Sequence, residues 1–504
     1  MSLGENLLGA AGAVTEPMTL LLLVTGVLIG IIMGSLPGMT ATMTVAVLVS
    51  FTFGMDPIPG MMLLLGIYGG ALYAGSIPAI LIRTPGTPSA AATVFDGFPL
   101  AKQGKAGQAI SVATVASFVG GAVSVLLLTF VSPQIAAFAL EFASPEYFAL
   151  AVFGLSIIAS VSGDSLIKGL ISGLLGMFLA TVGLDPVMAS PRFTFGYEVL
   201  TSGIQFIAVM IGLFGIAEGL YRYQSSLSDN EVSQDISDVM PDKGTLAKIL
   251  PLSMVSSVAG TIVGAIPGAG GDIASFVTYN ESKRWLDDGT FGEGDVRGVA
   301  AAESGNNSST GGALIPTLTL GIPGDSVTAI LIGALMVHGI RPGPDLFQEE
   351  PELVYSVFVG FFLVYIVILI VGLLGARYWA RIIDFPPKYL WPVIFILSLV
   401  GAYALRGNPL DVWTAIGAGV LGYIMRVEDY PLAPMVLGLI LGPIAEVNLR
   451  RSLKLSGGEL SIFIDSPLTM VILGLSLISL AYPIVQRFRE RRAAGEGGNQ
   501  SGPP

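Results

Sequence analysis

Gly34-Ser35-Leu36-Pro37-Gly38 interrupts an apolar stretch, and 230 residues later Gly264-Ala265-Ile266-Pro267-Gly268 interrupts another. Ile77-Pro78 followed by Pro85-Gly86 returns as Ile315-Pro316 followed by Pro323-Gly324, both shifted by 238. Pro145-Glu146-Tyr147 returns as Pro387-Lys388-Tyr389, Gly173-x-x-Gly176 as Gly419-x-x-Gly422, and Ile216-Ala217-Glu218 as Ile444-Ala445-Glu446. Matches in one order, at offsets between 228 and 246, read as an internal duplication. The repeats are 18–220 and 249–449, joined by a polar acidic linker at 221–248. A last span in 450–485 and a tail at 486–504 complete the chain.

The surrounding sequence is membrane-like. Of 504 residues, 53% are hydrophobic and 12% charged, the latter about half of what a soluble domain carries. Mean hydropathy is +0.77. Apolar runs fall near 18–33, 39–53, 58–82, 106–131, 146–161, 165–183, 199–220, 249–269, 310–338, 353–376, 389–404, 410–425, 431–446 and 468–485. Some are too short to cross a bilayer straight. The expectation is an all-α polytopic membrane protein with about 11–14 transmembrane or re-entrant helices. An odd number of crossings between the two Pro-Gly copies would invert one repeat relative to the other. Inverted repeats with helices broken at matching positions are a transporter signature, with the site near the midplane.

Several chemistries are excluded. There are no cysteines and one histidine, His338, so disulfides, thiolate metal sites and bis-histidine haem cannot form. The net charge of −12 argues against nucleic-acid binding. No phosphate-binding glycine loop is present, so this chain alone does not drive transport with ATP. A membrane-embedded enzyme lacks a nucleophile–base pair; a passive channel and another type of three-component anion importer remain as rivals. Residues 1–17 carry no Lys or Arg and so no signal-peptide basic region. Arg487, Arg489, Arg491 and Arg492 place the C-terminus in the cytoplasm. Arg377, Arg381 and Lys388 fall on the same side, whereas Arg450, Arg451 and Lys454 break the rule.

Proline removes a backbone donor and glycine admits a left-handed turn, so together they end a helix inside the bilayer. The freed groups are tolerable where they face protein, water or ligand. A half-helix N-terminus capped by Ser, Thr or Asp suits a carboxylate, although a kink or packing contact uses the same residues. The candidate substrate-binding positions are Pro37, Gly38, Thr40, Arg83, Pro85, Gly86, Thr87, Pro267, Gly268, Ala269, Gly270, Asn306, Asn307, Pro323, Gly324, Asp325 and Ser326. Glu303-Ser304-Gly305-Asn306-Asn307-Ser308-Ser309-Thr310 is rich in oxygen ligands, reads as the opening of the run toward Pro316, and is either a coupling-ion site or a solvent loop. Asp272, Glu303 and Ser308 are candidate Na⁺ ligands; Asp272, Glu303 and Asp325 serve equally as helix caps. Arg83 either pairs with a substrate carboxylate or snorkels to the interface. Asp96-Gly97 with Lys102 and Lys105 reads as a solvated tip, and the four tryptophans as interface anchors.

The chain resembles the large permease subunit of the tripartite tricarboxylate transporter family. The resemblance rests on Gly34-Ser-Leu-Pro-Gly38, Gly69-Gly-Ala-Leu-Tyr-Ala-Gly-Ser76, Pro85-Gly-Thr87 with Asp96-Gly97, Gly264-Ala-Ile-Pro-Gly-Ala-Gly270, Phe291-Gly-Glu-Gly294, Gly298-Val-Ala-Ala with Glu303 and Asn306-Asn307, Leu320-Gly-Ile-Pro-Gly324, and His338-Gly-Ile-Arg-Pro-Gly-Pro344. It covers about 18–485. It implies a permease of the prokaryotic cytoplasmic membrane with no cofactor. Such a permease works with a small integral membrane subunit and a periplasmic or lipid-anchored solute-binding protein. It imports citrate and related carboxylates on a Na⁺ or H⁺ gradient. Arg83, where the family commonly has asparagine, and the serine-rich stretch around Asn306-Asn307 depart from the family pattern.

Overall fold

The computed structural model describes residues 3–156, 165–225, 240–268, 270–286, 289–382 and 389–481. Asp229, Glu231, Asp235, Asp238, Ala269, Lys388 and the C-terminal arginines lie outside the described residues. Among the described residues the chain is helical apart from one short antiparallel pair, Gly183–Leu184 with Pro191–Arg192. Seven helices are long and apolar enough to cross a membrane: Pro17–Gly34, Pro57–Ile82, Ala106–Ala139, Lys243–Gly264, Pro351–Trp379, Pro409–Val427 and Leu432–Leu455. Six shorter apolar helices accompany them. The chain is thus an all-α, multi-pass membrane protein.

It divides into two compact units, Met1–Leu140 with Gln205–Ile424, and Glu141–Ile204 with Met425–Pro504. Each draws on both sequence halves.

The first unit is built on the same helix pair twice. In Pro17–Gly34, glycines at 26, 30 and 34 face the backbone of Pro57–Ala74; a Cβ at Gly30 would sit 2.5 Å from the Ile67 carbonyl oxygen. In Lys243–Gly264, Gly260 and Gly264 face Val296–Leu320, and a Cβ at Gly260 would sit 2.5 Å from the Gly305 carbonyl oxygen. Gly30 and Gly260 differ by 230 and Ile67 and Gly305 by 238, the offsets of the Pro-Gly motifs. Small residues permit such close approach where helices cannot rely on hydrophobic exclusion from lipid.

The helix ends match as well. Pro37-Gly38 and Pro267-Gly268 turn the chain with φ of 87° and 80° at the glycines. The seam partner helix of each copy, Pro57–Ile82 and Val296–Leu320, ends on a left-handed residue, Arg83 (φ 58°) and Gly321 (φ 69°), whose N–H bonds back to the carbonyls of Pro78 and Pro316.

The run expected at 310–338 starts earlier than hydropathy suggests. Val296–Leu320 is one helix, and Gly298–Thr319 is buried throughout. The polar stretch Glu303–Thr310 is therefore not a loop; it lies inside a helix that protein surrounds on all sides. The tip reading of Asp96 fails too. That carboxylate is fully buried, accepting from the Tyr279 hydroxyl at 2.9 Å and from the N–H groups of Gly292, Gly294 and Asp295 at 2.8, 3.0 and 2.7 Å. Lys102 and Lys105 are exposed as expected. Trp285 and Trp413 are exposed, but Trp391 is buried against Leu36, Met39 and Met43 and is no interface anchor.

In the second unit, Leu166–Ala180 packs on Leu432–Leu455 through Gly173, Gly176, Gly438 and Gly442. In the first, Pro409–Val427 packs on 206–221 through Gly419 and Gly212. Gly173 and Gly419 are matched positions, and Gly212 and Gly442 differ by 230. The two pairings are therefore the same pairing, each made between opposite sequence halves. Arg450, which broke the positive-inside rule, is neutralised: it bonds Asp185 at 2.7 Å and Glu446 at 3.2 Å, and Arg192 bonds Glu446 at 2.8 Å.

Candidate functional site

Proline and glycine place the breaks, and the breaks pair within each copy. Gly86 N–H donates to the Gly75 carbonyl at 3.0 Å, and a Cβ on Gly86 would strike both the Gly34 carbonyl oxygen and Gly75 Cα. In the second copy Gly268 N–H donates to the Gly324 carbonyl at 2.7 Å. A Cβ on Gly324 would lie 2.6 Å from that of Ala313. Ala313 is Gly75 shifted by 238.

The segments after the four breaks are not alike. Thr40 caps Ala41–Leu48, its hydroxyl accepting from Met43 N–H at 3.1 Å. Asp325 caps Ser326–Val337 in a reciprocal box with Thr328, and its other oxygen accepts from the Tyr68 hydroxyl of the first copy. Gly270–Leu286 comes after Pro267-Gly268, with Asp272 exposed in its first turn. Pro85-Gly86 does not open a half-helix. It leads only into the single turn Pro88–Ala90, and the Thr87 hydroxyl bonds that of Ser89 at 3.0 Å. The chain continues through i→i+3 turns at 91–93 before the regular helix Val94–Lys102 begins.

The two copies meet at Asn306. A Cβ on Gly271 would lie 2.6 Å from Asn306 Oδ1 and 3.1 Å from Ser89 Cβ. Gly271 of the second-copy helix Gly270–Leu286 thus lies against both the Asn306 amide and Ser89 of the first-copy turn Pro88–Ala90. Asn306 is wholly buried; its amide has no partner at strict hydrogen-bond geometry but faces the Glu303 carboxylate, and Asn307 Oδ1 has no such partner either. A buried unpaired amide loses its hydration without return, about 1–3 kcal/mol per group, and such groups are rare in folded chains.

Glu303 lies one helical turn away, also fully buried. Its carboxylate accepts from the hydroxyls of Thr93 and Ser117 and, at 3.4 Å, from Asn307 Nδ2. Among the described residues no basic side chain pairs with it. A lone carboxylate held by neutral donors can carry a proton or help hold a monovalent cation. Ser308 is not beside it. Its hydroxyl donates to the Gly305 carbonyl at 3.1 Å, in the seam against Gly260. Among the described residues no cluster of three carboxylates or imidazoles exists, so neutral oxygens must complete any ion shell here.

Arg83 is exposed, 5.9 Å from the Phe98 ring. Thr93, Ser117 and Tyr68 were not legible as site residues. Each is a lone polar group in an apolar or small-residue stretch, with no local pattern to raise it.

Comparison with known proteins agrees with this architecture. Residues 20–437 match the model of the tripartite tricarboxylate transporter TctA family. The chain is 37% identical over 495 residues, 98% of each, to an Agrobacterium vitis protein described as "Uncharacterized 52.8 kDa protein in TAR-I ttuC' 3'region". It is 35% identical over 235 residues to a second Agrobacterium vitis protein, "Uncharacterized protein in TAR-II ttuC' 3'region", covering 46% of this chain and 97% of that one. No solved structure matches. The chain belongs to the tripartite tricarboxylate transporter TctA family.

Proposed function

We propose that this chain is the large membrane subunit of an importer of tricarboxylates or related organic carboxylates, driven by a Na⁺ or H⁺ gradient. It works with a small integral membrane subunit and a periplasmic or lipid-anchored solute-binding protein. It resides in the prokaryotic cytoplasmic membrane with its C-terminus in the cytoplasm. The observation that carries this reading is the buried polar ground of Asn306 and Glu303 inside Val296–Leu320, beside Gly271, where the second-copy break helix meets Ser89 of the first copy. The matched seams, helix ends and crossed pairings support the duplication, and in this reading the two copies are inverted in the membrane.

In this reading the substrate meets the backbone freed at Pro37-Gly38, Pro85-Gly86, Pro267-Gly268 and Pro323-Gly324, with Asn306 and Asn307 supplying amide contacts. Glu303 is the coupling-ion group. It gains charge balance when it takes a proton or a cation, so ion occupancy changes the field at the amide one turn away. Of the other expected ion ligands, Asp272 lies within electrostatic reach of Asp325 and Tyr68 and Ser308 lies in the helix seam; neither is assigned a role.

The test is uptake of labelled citrate into proteoliposomes holding all three components, with Na⁺ and proton gradients imposed separately. Accumulation should need at least one gradient, and Glu303→Gln should uncouple or abolish it. Uptake indifferent to the collapse of both gradients would reject the proposal.

A further inference from the structure

We infer that a cavity of about 530 Å³ beside the Pro85-Gly86 loop is an anion subsite that selects substrates by their number of carboxylates. The inference rests on the carboxylate reading above.

Three elements each bring one cation to this cavity: Arg83 from the helix end, Lys102 from the last turn of Val94–Lys102, and Lys283 from the last turn of Gly270–Leu286. Among the described residues none of the three has a carboxylate partner. Arg83 and Lys102 both lie over the Phe98 ring, 5.9 and 4.8 Å from its centroid. The Lys283 ammonium reaches only the Phe291 carbonyl, at 3.5 Å. The acid beneath them, Asp96, is already taken by three backbone N–H groups and Tyr279. In a chain of net charge −12, three cations around one hollow, with no carboxylate partner among the described residues, repel each other until an anion arrives. A guanidinium binds a carboxylate through two parallel bonds, and the lysines add point charges. A tricarboxylate can engage all three; a dicarboxylate leaves one unmatched.

The duplication supplies an independent argument. Arg83 and Gly321 occupy the same left-handed helix end, at φ 58° and 69°, 238 residues apart. Glycine adopts that conformation freely and an L side chain does not. One copy uses the unstrained residue. The other keeps an arginine there, and its guanidinium lines the cavity. A side chain held against its backbone preference marks a functional position.

Arg83→Gly separates the two explanations, since it installs the residue of the other copy. We would measure uptake KM for citrate and for succinate in the reconstituted three-component system, and citrate binding to the purified chain by calorimetry. The variants are Arg83→Gly and the double Lys102→Gln/Lys283→Gln. Citrate KM should rise about tenfold or more in each with kcat nearly kept, and succinate KM by less than about threefold. Calorimetric citrate affinity should fall in parallel, and the melting temperature of Arg83→Gly should not drop. Equal loss for both substrates, or unchanged citrate affinity, would overturn the subsite. A wild-type chain that binds citrate through these cations yet never transports it would overturn the transport reading and leave the subsite standing.

Discussion

Asn306 shows how a single residue separates binding from folding. Its amide is buried and has no hydrogen bond of good geometry at either end, only the Glu303 carboxylate nearby, so removing it takes away a poorly satisfied polar group as well as a packing one. Asn306→Ala should therefore leave the detergent-solubilised chain within about 1 kcal/mol of wild type while lowering uptake at least a hundredfold. A large drop in melting temperature would mean the amide is part of the core and not of the site. Asp96 is the opposite case. Its carboxylate organises the backbone of 292–295, so Asp96→Ala should cost about 2–3 kcal/mol, visible as a lower melting temperature, with less transporter surviving purification. Sequence alone put Asp96 at a solvated tip because Gly97 and two lysines flank it. The acceptor role is set by a loop almost two hundred residues away, which no local pattern reveals.

At the scale of elements, the glycine seams and left-handed ends carry the fold. A Cβ at Gly260 would meet the Gly305 backbone, so Gly260→Val should push apart two helices that cannot yield and destabilise by about 3 kcal/mol. Gly264→Val should do the same; a pair of variants that fold normally would refute the seam. Relief of the strained turn by Arg83→Gly should stabilise by about 1 kcal/mol. In the hairpin after Leu166–Ala180, N–H bonds from Met188, with Arg450 and Val187, hold the Asp185 carboxyl below the usual carboxylate range. Its folded-state pKa is depressed. The stability it contributes is therefore present above its unfolded value near ~3.9 and is lost as pH falls toward the lower folded value. Asp185→Asn should flatten the acid limb of a melting-temperature profile below about pH 4, and an unchanged limb would show that another carboxylate governs it. The apolar helices were legible because lipid contact demands apolar side chains. Val296–Leu320 was cut short because Glu303–Thr310 is polar, and hydropathy cannot distinguish a polar loop from a polar helix sealed inside protein.

At the scale of the whole chain, the repeated Pro-Gly motifs were legible, and the glycine seams and left-handed helix ends recur at the same offsets. The compact units were not, because each joins parts of both halves, and helix pairing across a duplication leaves no trace in linear order. The four Pro-Gly breaks were expected to act alike, yet only three lead directly into an α-helix; the second leads into the turn that lies against Gly271. The positions that open the backbone were readable from residue type. The positions that meet there, Thr93, Ser117 and Tyr68, depend on tertiary packing. The central claim is that a carboxylate and its coupling ion share the buried ground between Asn306 and Glu303. It is tested most directly by gradient-driven uptake of labelled citrate in the reconstituted three-component system, with wild type and Asn306→Ala side by side. Uphill accumulation that vanishes in Asn306→Ala, while the variant chain stays folded and assembled, is the expected result. Undiminished accumulation by Asn306→Ala would contradict the account.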